Sequence, residues 1–113
     1  MKKQKAKHPF KKNETGYHKH AVKQLAEWVN GITEKEFYID SCIAFVPDIT
    51  CYENGVLTSM YEVVYSHPIN GKKLGMIQMW SYFNSAEFSV FEVSADWILK
   101  QTELPHKCAS LEE

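Results

Sequence analysis

The chain has 113 residues, of which 44% are hydrophobic and 13% aromatic. A chain of this length can bury one hydrophobic core but cannot divide it between two independent units. No segment approaches the roughly 18 apolar residues of a membrane-spanning helix, and the lysine-rich start lacks the apolar stretch of a secretory signal, so we expect a cytoplasmic protein.

The formal net charge of −1 hides an uneven distribution of charge. Residues 1–23 carry eight of the thirteen lysines and one acid, whereas the other ninety residues carry five lysines and thirteen acids. A basic arm of this kind can contact phosphates and release counterions, or it can simply be a solubilising tail. The chain has no arginine, so backbone contact is favoured over base-specific recognition of a duplex. The candidates for nucleic-acid contact are Lys3, Lys5, Lys7, Lys11 and Lys12 in this arm, and His18 after it.

The first predicted elements are an arm and a helix. Residues 1–12 are predicted to be flexible, because lysines dominate and Pro9 interrupts any early helix. From Asn13 onward the spacing of apolar residues predicts an amphipathic helix that stops at Asn30-Gly31. The apolar and aromatic positions on its face are Tyr17, Ala21, Leu25, Trp28 and Val29.

The middle of the chain predicts β-structure. The segments EFYIDSCIAFV and DITCY predict two short strands, or one bent strand broken near Pro47. Asn54-Gly55 is a strong hairpin signal. The stretch from Val56 to Tyr65 is rich in β-branched and aromatic residues and predicts a central strand.

The last elements predict how the sheet is built. GKKLGMIQMWSYF predicts a helix, FSVFEVS a strand, and ADWILKQ a short helix capped by Ser94. The strand after the crossover helix should return parallel to an earlier strand. We therefore expect an α/β fold with the order α-β-β-β-α-β-α, a single mixed sheet flanked by helices in one domain over residues 13–104, and a C-terminal tail over 105–113.

Two acids and a lysine pair in the middle of the chain suggest chemistry. Asp48 starts one predicted strand, Glu62 lies in the next, and Lys72 and Lys73 open the following helix. Two neighbouring carboxylates and an ammonium are what a Mg²⁺-assisted attack on a phosphodiester requires. We prefer Lys73, which shares a helical face with the apolar residues expected to meet the sheet.

The hairpin register tests whether the acids meet. With Asn54-Gly55 as a two-residue loop, Asp48 opposes Tyr61 and the two acids face opposite sides of the sheet. A bulge or a three-residue loop places Asp48 opposite Glu62. We therefore predict an irregularity in the hairpin, which Pro47 favours because it cannot donate to a ladder.

The order of these motifs resembles the PD-(D/E)XK nuclease superfamily, and within it small proteins of the competence-nuclease type. The resemblance covers roughly residues 13–100 and rests on HKHAVKQLAEWV in the first helix, PDI at a strand end, YEVVYSHPINGKK at the strand-to-helix passage and VFEVSADWIL near the end. It implies a restriction-endonuclease-like core and metal-dependent nuclease activity on nucleic acid, with DNA as the expected substrate.

The resemblance also implies roles for individual residues. Asp48 would be the principal Mg²⁺ (or Mn²⁺) ligand, Glu62 the second acid, and Glu14 an additional ligand used by some members. The family's usual lysine falls two residues after the second acid, where this chain has Val64. Some members supply the lysine from the following helix, so Lys73, or else Lys72, would take its place.

Other residues and other functions stay open. His18 lies one turn from Glu14 and can reach the site with it, and His67 lies near its mouth, although such histidines more often pack or hydrogen-bond. The cysteines Cys42, Cys51 and Cys108 lack metal-type spacing and are expected to be reduced, with Cys42 packed in a strand.

The alternatives to a nuclease are an inactive nuclease-fold protein that binds nucleic acid or protein, and a small adaptor or inhibitor. A homodimer or a larger protein partner is plausible for a domain this small.

Overall fold

The computed structural model describes residues 9–66 and 68–103, with side chains described for 16–66 and 68–101. The helices are α1 (Pro9–Val29), α2 (Gly71–Phe83) and α3 (Ala95–Glu103). The strands are β1 (Phe37–Ile39), β2 (Cys42–Phe45), β3 (Ile49–Glu53), β4 (Val56–Val64) and β5 (Ser89–Ser94). The predicted tail, residues 105–113, lies outside the described residues, as does Cys108.

Helix α1 starts earlier than predicted. It begins at Pro9 rather than near Asn13, because proline fits the first turn of a helix, where its missing N–H would have no partner. It ends at the predicted place. Asn30 adopts a left-handed φ of 57°, and Gly31 N donates to Ala26 O at 2.9 Å, which closes the helix with a Schellman-type arrangement.

The segment EFYIDSCIAFV forms a hairpin of two strands rather than one strand. Asp40 and Ser41 both have positive φ, 52° and 68°, and turn the chain between β1 and β2. Ile39 pairs with Cys42 across this turn. Cys42 lies in β2 but is exposed, so the expected packing of Cys42 is wrong, and Cys51 in β3 is the buried thiol.

The strands lie in two sheets, which differs from the single sheet expected, while the α/β class is confirmed. One sheet holds β1 and β2, and the other has the order β3-β4-β5. Strand β5 pairs parallel with β4, as predicted for a strand that follows a crossover helix. Helices α1 and α3 pack on one face of this sheet around Val63, whereas α2 and the small sheet cover the other face around Met60.

The β3–β4 hairpin contains the predicted irregularity. Asn54 and Gly55 have positive φ, 54° and 79°, and form the tight turn, with Glu53 paired to Val56. The register shifts between Cys51 and Tyr52, opposite Thr58, whose hydroxyl donates to Cys51 O at 3.2 Å. The bulge therefore lies in the hairpin itself and not at Pro47.

The helices α2 and α3 agree closely with prediction. Helix α2 covers the predicted thirteen residues, and Ser94 Oγ accepts from Trp97 N at 3.2 Å as the cap of α3. Among the helices in the described ranges, none is both long enough and apolar enough to cross a membrane.

Two glycines give a matched test of packing. A Cβ at Gly31 would collide with the Ile49 side chain and lie 3.1 Å from Cys51 Sγ, whereas none of the described atoms lies within 4 Å of a Cβ at Gly75. Gly31→Ala is expected to lower the free energy of unfolding by about 1 to 3 kcal/mol through overpacking. Gly75→Ala in helix α2 should raise it by about 1 kcal/mol. Urea titration of both variants measures the two effects, and equal midpoints would contradict them.

Candidate active site

The two predicted acids meet at the open end of the β3–β4 pair. Beyond the bulge the register places Asp48, just before β3, opposite Glu62 in β4. Asp48 N donates to Glu62 Oε2 at 3.1 Å, and Val63 N donates to Asp48 Oδ2 at 2.8 Å. Each carboxylate therefore binds the backbone of the opposite strand and continues the hydrogen bonding where the ladder stops.

Helix α2 brings Lys73 to this pair. Asn70 caps the helix, with its Oδ1 accepting from Lys72 N at 2.7 Å, and this fixes the direction of the first turn. Lys73 Nζ donates to Glu62 Oε1 at 2.9 Å and to Val46 O at 2.9 Å. The neighbouring Lys72 is exposed. The face that holds Lys73 also carries buried Ile77, as the helical spacing predicts.

His18 joins the site from α1. Its Nε2 lies 3.0 Å from Val63 O and 3.3 Å from Asp48 Oδ2. A carbonyl oxygen can only accept, so Nε2 must carry the hydrogen that it shares between the two oxygens. Through this contact α1 holds Asp48 Oδ2 in place. Among the described residues, both donors to the Asp48 carboxylate, His18 and Val63 N, contact Oδ2.

Glu62 is the buried member of the site. Its residue exposure is 7%, and burial, together with the neighbouring Asp48 carboxylate, raises the pKa of Glu62 above its usual value. The Lys73 ammonium and the Asp48 N–H oppose this rise. A second positive charge near Glu62 would favour its ionised form further.

The raised pKa of Glu62 predicts a pH dependence of stability. Between the usual and the raised pKa, folded protein keeps a proton that the unfolded chain has released, so increasing pH favours unfolding. The stability of the wild type should therefore fall, relative to that of Glu62→Gln, as pH rises from about 4.5 through the raised pKa. Denaturant titrations with a chelator present measure this difference. Parallel profiles for the two proteins would contradict the prediction.

A cleft of about 740 Å³ opens beside the site. His18 and Asp48 line one part of it, and the exposed Lys19 and Lys23 stand on α1 along its wall. Glu62 and Lys73 do not line this cleft. The cleft therefore leads to the Asp48 and His18 side of the site.

Several predicted residues are not brought into the site by the described structure. Lys3, Lys5, Lys7 and His67 lie outside the described residues. The backbones of Lys11, Lys12 and Glu14 belong to α1, but their side chains lie outside the described part of the chain. The nucleic-acid contact of the arm and the ligand role of Glu14 therefore stay predictions.

Glu92 has a role that the sequence did not reveal. Glu92 is exposed, and its Oε2 accepts from Ile69 N at 2.7 Å. That bond anchors the chain immediately before the cap residue Asn70. Glu92 also pairs with Glu62 in the parallel register. The signal that could have drawn attention to Glu92 is the parallel pairing of β5 with β4, because this pairing places Glu92 beside Glu62.

The donor chemistry of the site fits Mg²⁺. Among the described residues no group of three or more His, Cys, Asp and Glu side chains is arranged to hold a metal. Mg²⁺ does not require one, since it keeps several waters and is often held by one or two carboxylates together with substrate phosphates. Asp48 and Glu62 supply such oxygen ligands.

Comparison with known proteins gives no relative for this chain: no family model, curated protein or solved structure matches it.

Proposed function

We propose that this protein is a metal-dependent nuclease that hydrolyses phosphodiester bonds in nucleic acid. The observation that carries the proposal is that Asp48 and Lys73 both meet Glu62: Asp48 N donates to Glu62 Oε2 at 3.1 Å and Lys73 Nζ donates to Glu62 Oε1 at 2.9 Å. The order of these residues along the chain is the order in the PD-(D/E)XK superfamily that the sequence resembles.

Each side chain has a definite task in this proposal. Asp48 and Glu62 would hold Mg²⁺ or Mn²⁺, which when bound supplies charge stabilisation and lowers the pKa of water. Lys73 Nζ, 2.9 Å from Glu62 Oε1, would orient the attacking water and offset negative charge on the phosphate. His18, 3.3 Å from Asp48 Oδ2, would hold that carboxylate in place for the metal.

The direct experiment is a cleavage assay with purified protein and labelled DNA and RNA. Cleavage is expected in Mg²⁺ or Mn²⁺, and EDTA should stop it. Asp48→Ala and Glu62→Ala should each lower the rate by at least about 100-fold, since changes to mere neighbours of metal ligands already cost about 10- to 100-fold. Glu87→Ala, at an exposed acid in the loop before β5, is the matched control and should retain activity. A folded preparation that never cuts with either metal would refute the proposal.

One observation favours a second candidate, a non-catalytic nucleic-acid-binding or protein-binding protein on this fold. Glu62 is already paired with Lys73 and with Asp48 N, and Asp48 with Val63 N and His18. These contacts would stabilise the sheet end without any metal. Mn²⁺ titration by calorimetry distinguishes the candidates: a site abolished by Asp48→Asn supports the nuclease, whereas nucleic-acid binding that is indifferent to metal and to Asp48→Asn supports the second.

A further inference from the structure

A pair of tyrosines lies close in the chain to two residues of the candidate active site. Tyr17 directly precedes His18 on α1, and Tyr65 follows two residues after Val63, whose carbonyl contacts His18. The two rings meet edge-on, with centroids 5.1 Å apart and planes at 79°. An edge-on contact covers at most one face of one ring. Tyr17 is 36% and Tyr65 41% exposed, so ring surface remains open to solvent.

Two lysines line the cleft beside the site. Lys19 and Lys23 lie one helical turn apart, about 6 Å along the α1 axis, and both line the cleft that reaches Asp48. Three acids line the cleft as well: Asp48 of the candidate site, and Glu27 and Glu34, which lie beyond Lys23 in the chain. Its volume of about 740 Å³ is that of a small-molecule site, which suits a few nucleotides and not an enclosed duplex.

We infer that the site takes single-stranded nucleic acid, with a base stacked on the Tyr17–Tyr65 pair and the adjoining phosphates along Lys19 and Lys23. Proteins hold single strands without reading sequence by stacking bases on aromatic rings and placing basic side chains along the phosphates, and the Tyr17–Tyr65 pair with Lys19 and Lys23 supplies both kinds of side chain. A base within a duplex is stacked on its neighbours, so its face is not available to Tyr65. The inference rests on the proposed function in one respect, which is that the scissile bond lies between the tyrosine pair and the two lysines.

The test is binding in the uncleaving Asp48→Asn background, measured by fluorescence anisotropy with labelled oligo-dT, oligo-U and a DNA duplex of equal length. Both single strands should bind at least about 10-fold more tightly than the duplex, and a difference between dT and U separates DNA from RNA. Tyr65→Ala should weaken single-strand binding by about 5- to 100-fold, and Tyr65→Phe should restore it. Tyr82→Ala, at an 81% exposed ring on α2, is the matched control.

The lysines give an independent measurement. Changing both Lys19 and Lys23 to glutamine should reduce the slope of log affinity against log salt concentration by about 1.4 for a single strand, without removing the preference for single strands. Equal affinity for duplex and single strand, or full binding by Tyr65→Ala, would overturn the inference even if cleavage is found. Tyr65-dependent single-strand binding without any cleavage would overturn the nuclease proposal and leave this binding site standing.

Discussion

Replacing Lys73 with methionine is expected to lower the rate of metal-dependent cleavage by about 100- to 1000-fold, the usual cost of removing one group that stabilises charge in a transition state. Methionine keeps an apolar stem on the helical face that also carries Ile77, but removes the ammonium that lies 2.9 Å from Glu62 Oε1. Single-turnover cleavage with saturating metal measures the effect on the chemical step.

The neighbouring lysine supplies the control for this experiment. Lys72 occupies the same first turn but is exposed, so Lys72→Met should cut at the wild-type rate. A second control places an ammonium in β4, at the position where the superfamily that the sequence resembles usually has its lysine. Val64 lies on the Glu62 side of β4, so Val64→Lys in the Lys73→Met background should regain part of the lost rate. Equal loss in Lys72→Met and Lys73→Met would contradict a catalytic role for Lys73.

The second large effect concerns stability. Lys73→Met should lower the free energy of unfolding at pH 7 by about 3 kcal/mol, because it leaves the buried Glu62 carboxylate without its ion-pair partner. The value lies at the low end for a broken buried pair because the Lys73 side chain is 27% exposed and Glu62 can take up a proton.

A double-mutant cycle isolates the pair. Glu62→Gln removes the charge while its amide oxygen can still accept from Asp48 N, so the double variant Glu62→Gln, Lys73→Met should be more stable than Lys73→Met alone. Urea titrations of the four proteins at pH 7 give the coupling free energy. A coupling near zero would mean that the 2.9 Å contact contributes nothing to stability.

Local pattern predicts those parts of the fold that local interactions decide. Helix α2 was predicted with the bounds that the structure gives it, and Asn70 caps its first turn. The β1–β2 turn was not predicted, since Asp40-Ser41 lacks the glycine that marks most tight turns, although both residues adopt positive φ. The end of α1 at Asn30-Gly31 was predicted. The residue in the left-handed conformation there is Asn30 and not the glycine, whereas Gly31 is required because it packs closely on β3.

The candidate active site also has contacts that local sequence patterns predict and contacts that they do not. The approach of Lys73 to the sheet follows from helical spacing alone, and the need for a bulge follows from counting residues across the hairpin. The contact between His18 and Asp48 depends on how α1 lies across the sheet, which no local pattern encodes. The anchoring of Ile69 by Glu92 depends on the parallel register of β5, which is set by a crossover of distant segments.

Thr58 is an extra residue in β4, because its neighbours Leu57 and Ser59 pair with the consecutive residues Tyr52 and Cys51 of β3. Leu57 on one side of the bulge and Met60 on the other both pack in the same apolar cluster, although three positions apart. Loss of Thr58 would leave a regular ladder in which these contacts, and the opposition of Asp48 and Glu62, persist. A deletion in the middle of a strand ordinarily turns every later side chain to the wrong face. A homologous chain could nevertheless lack the residue at the Thr58 position and still carry both carboxylates in one site.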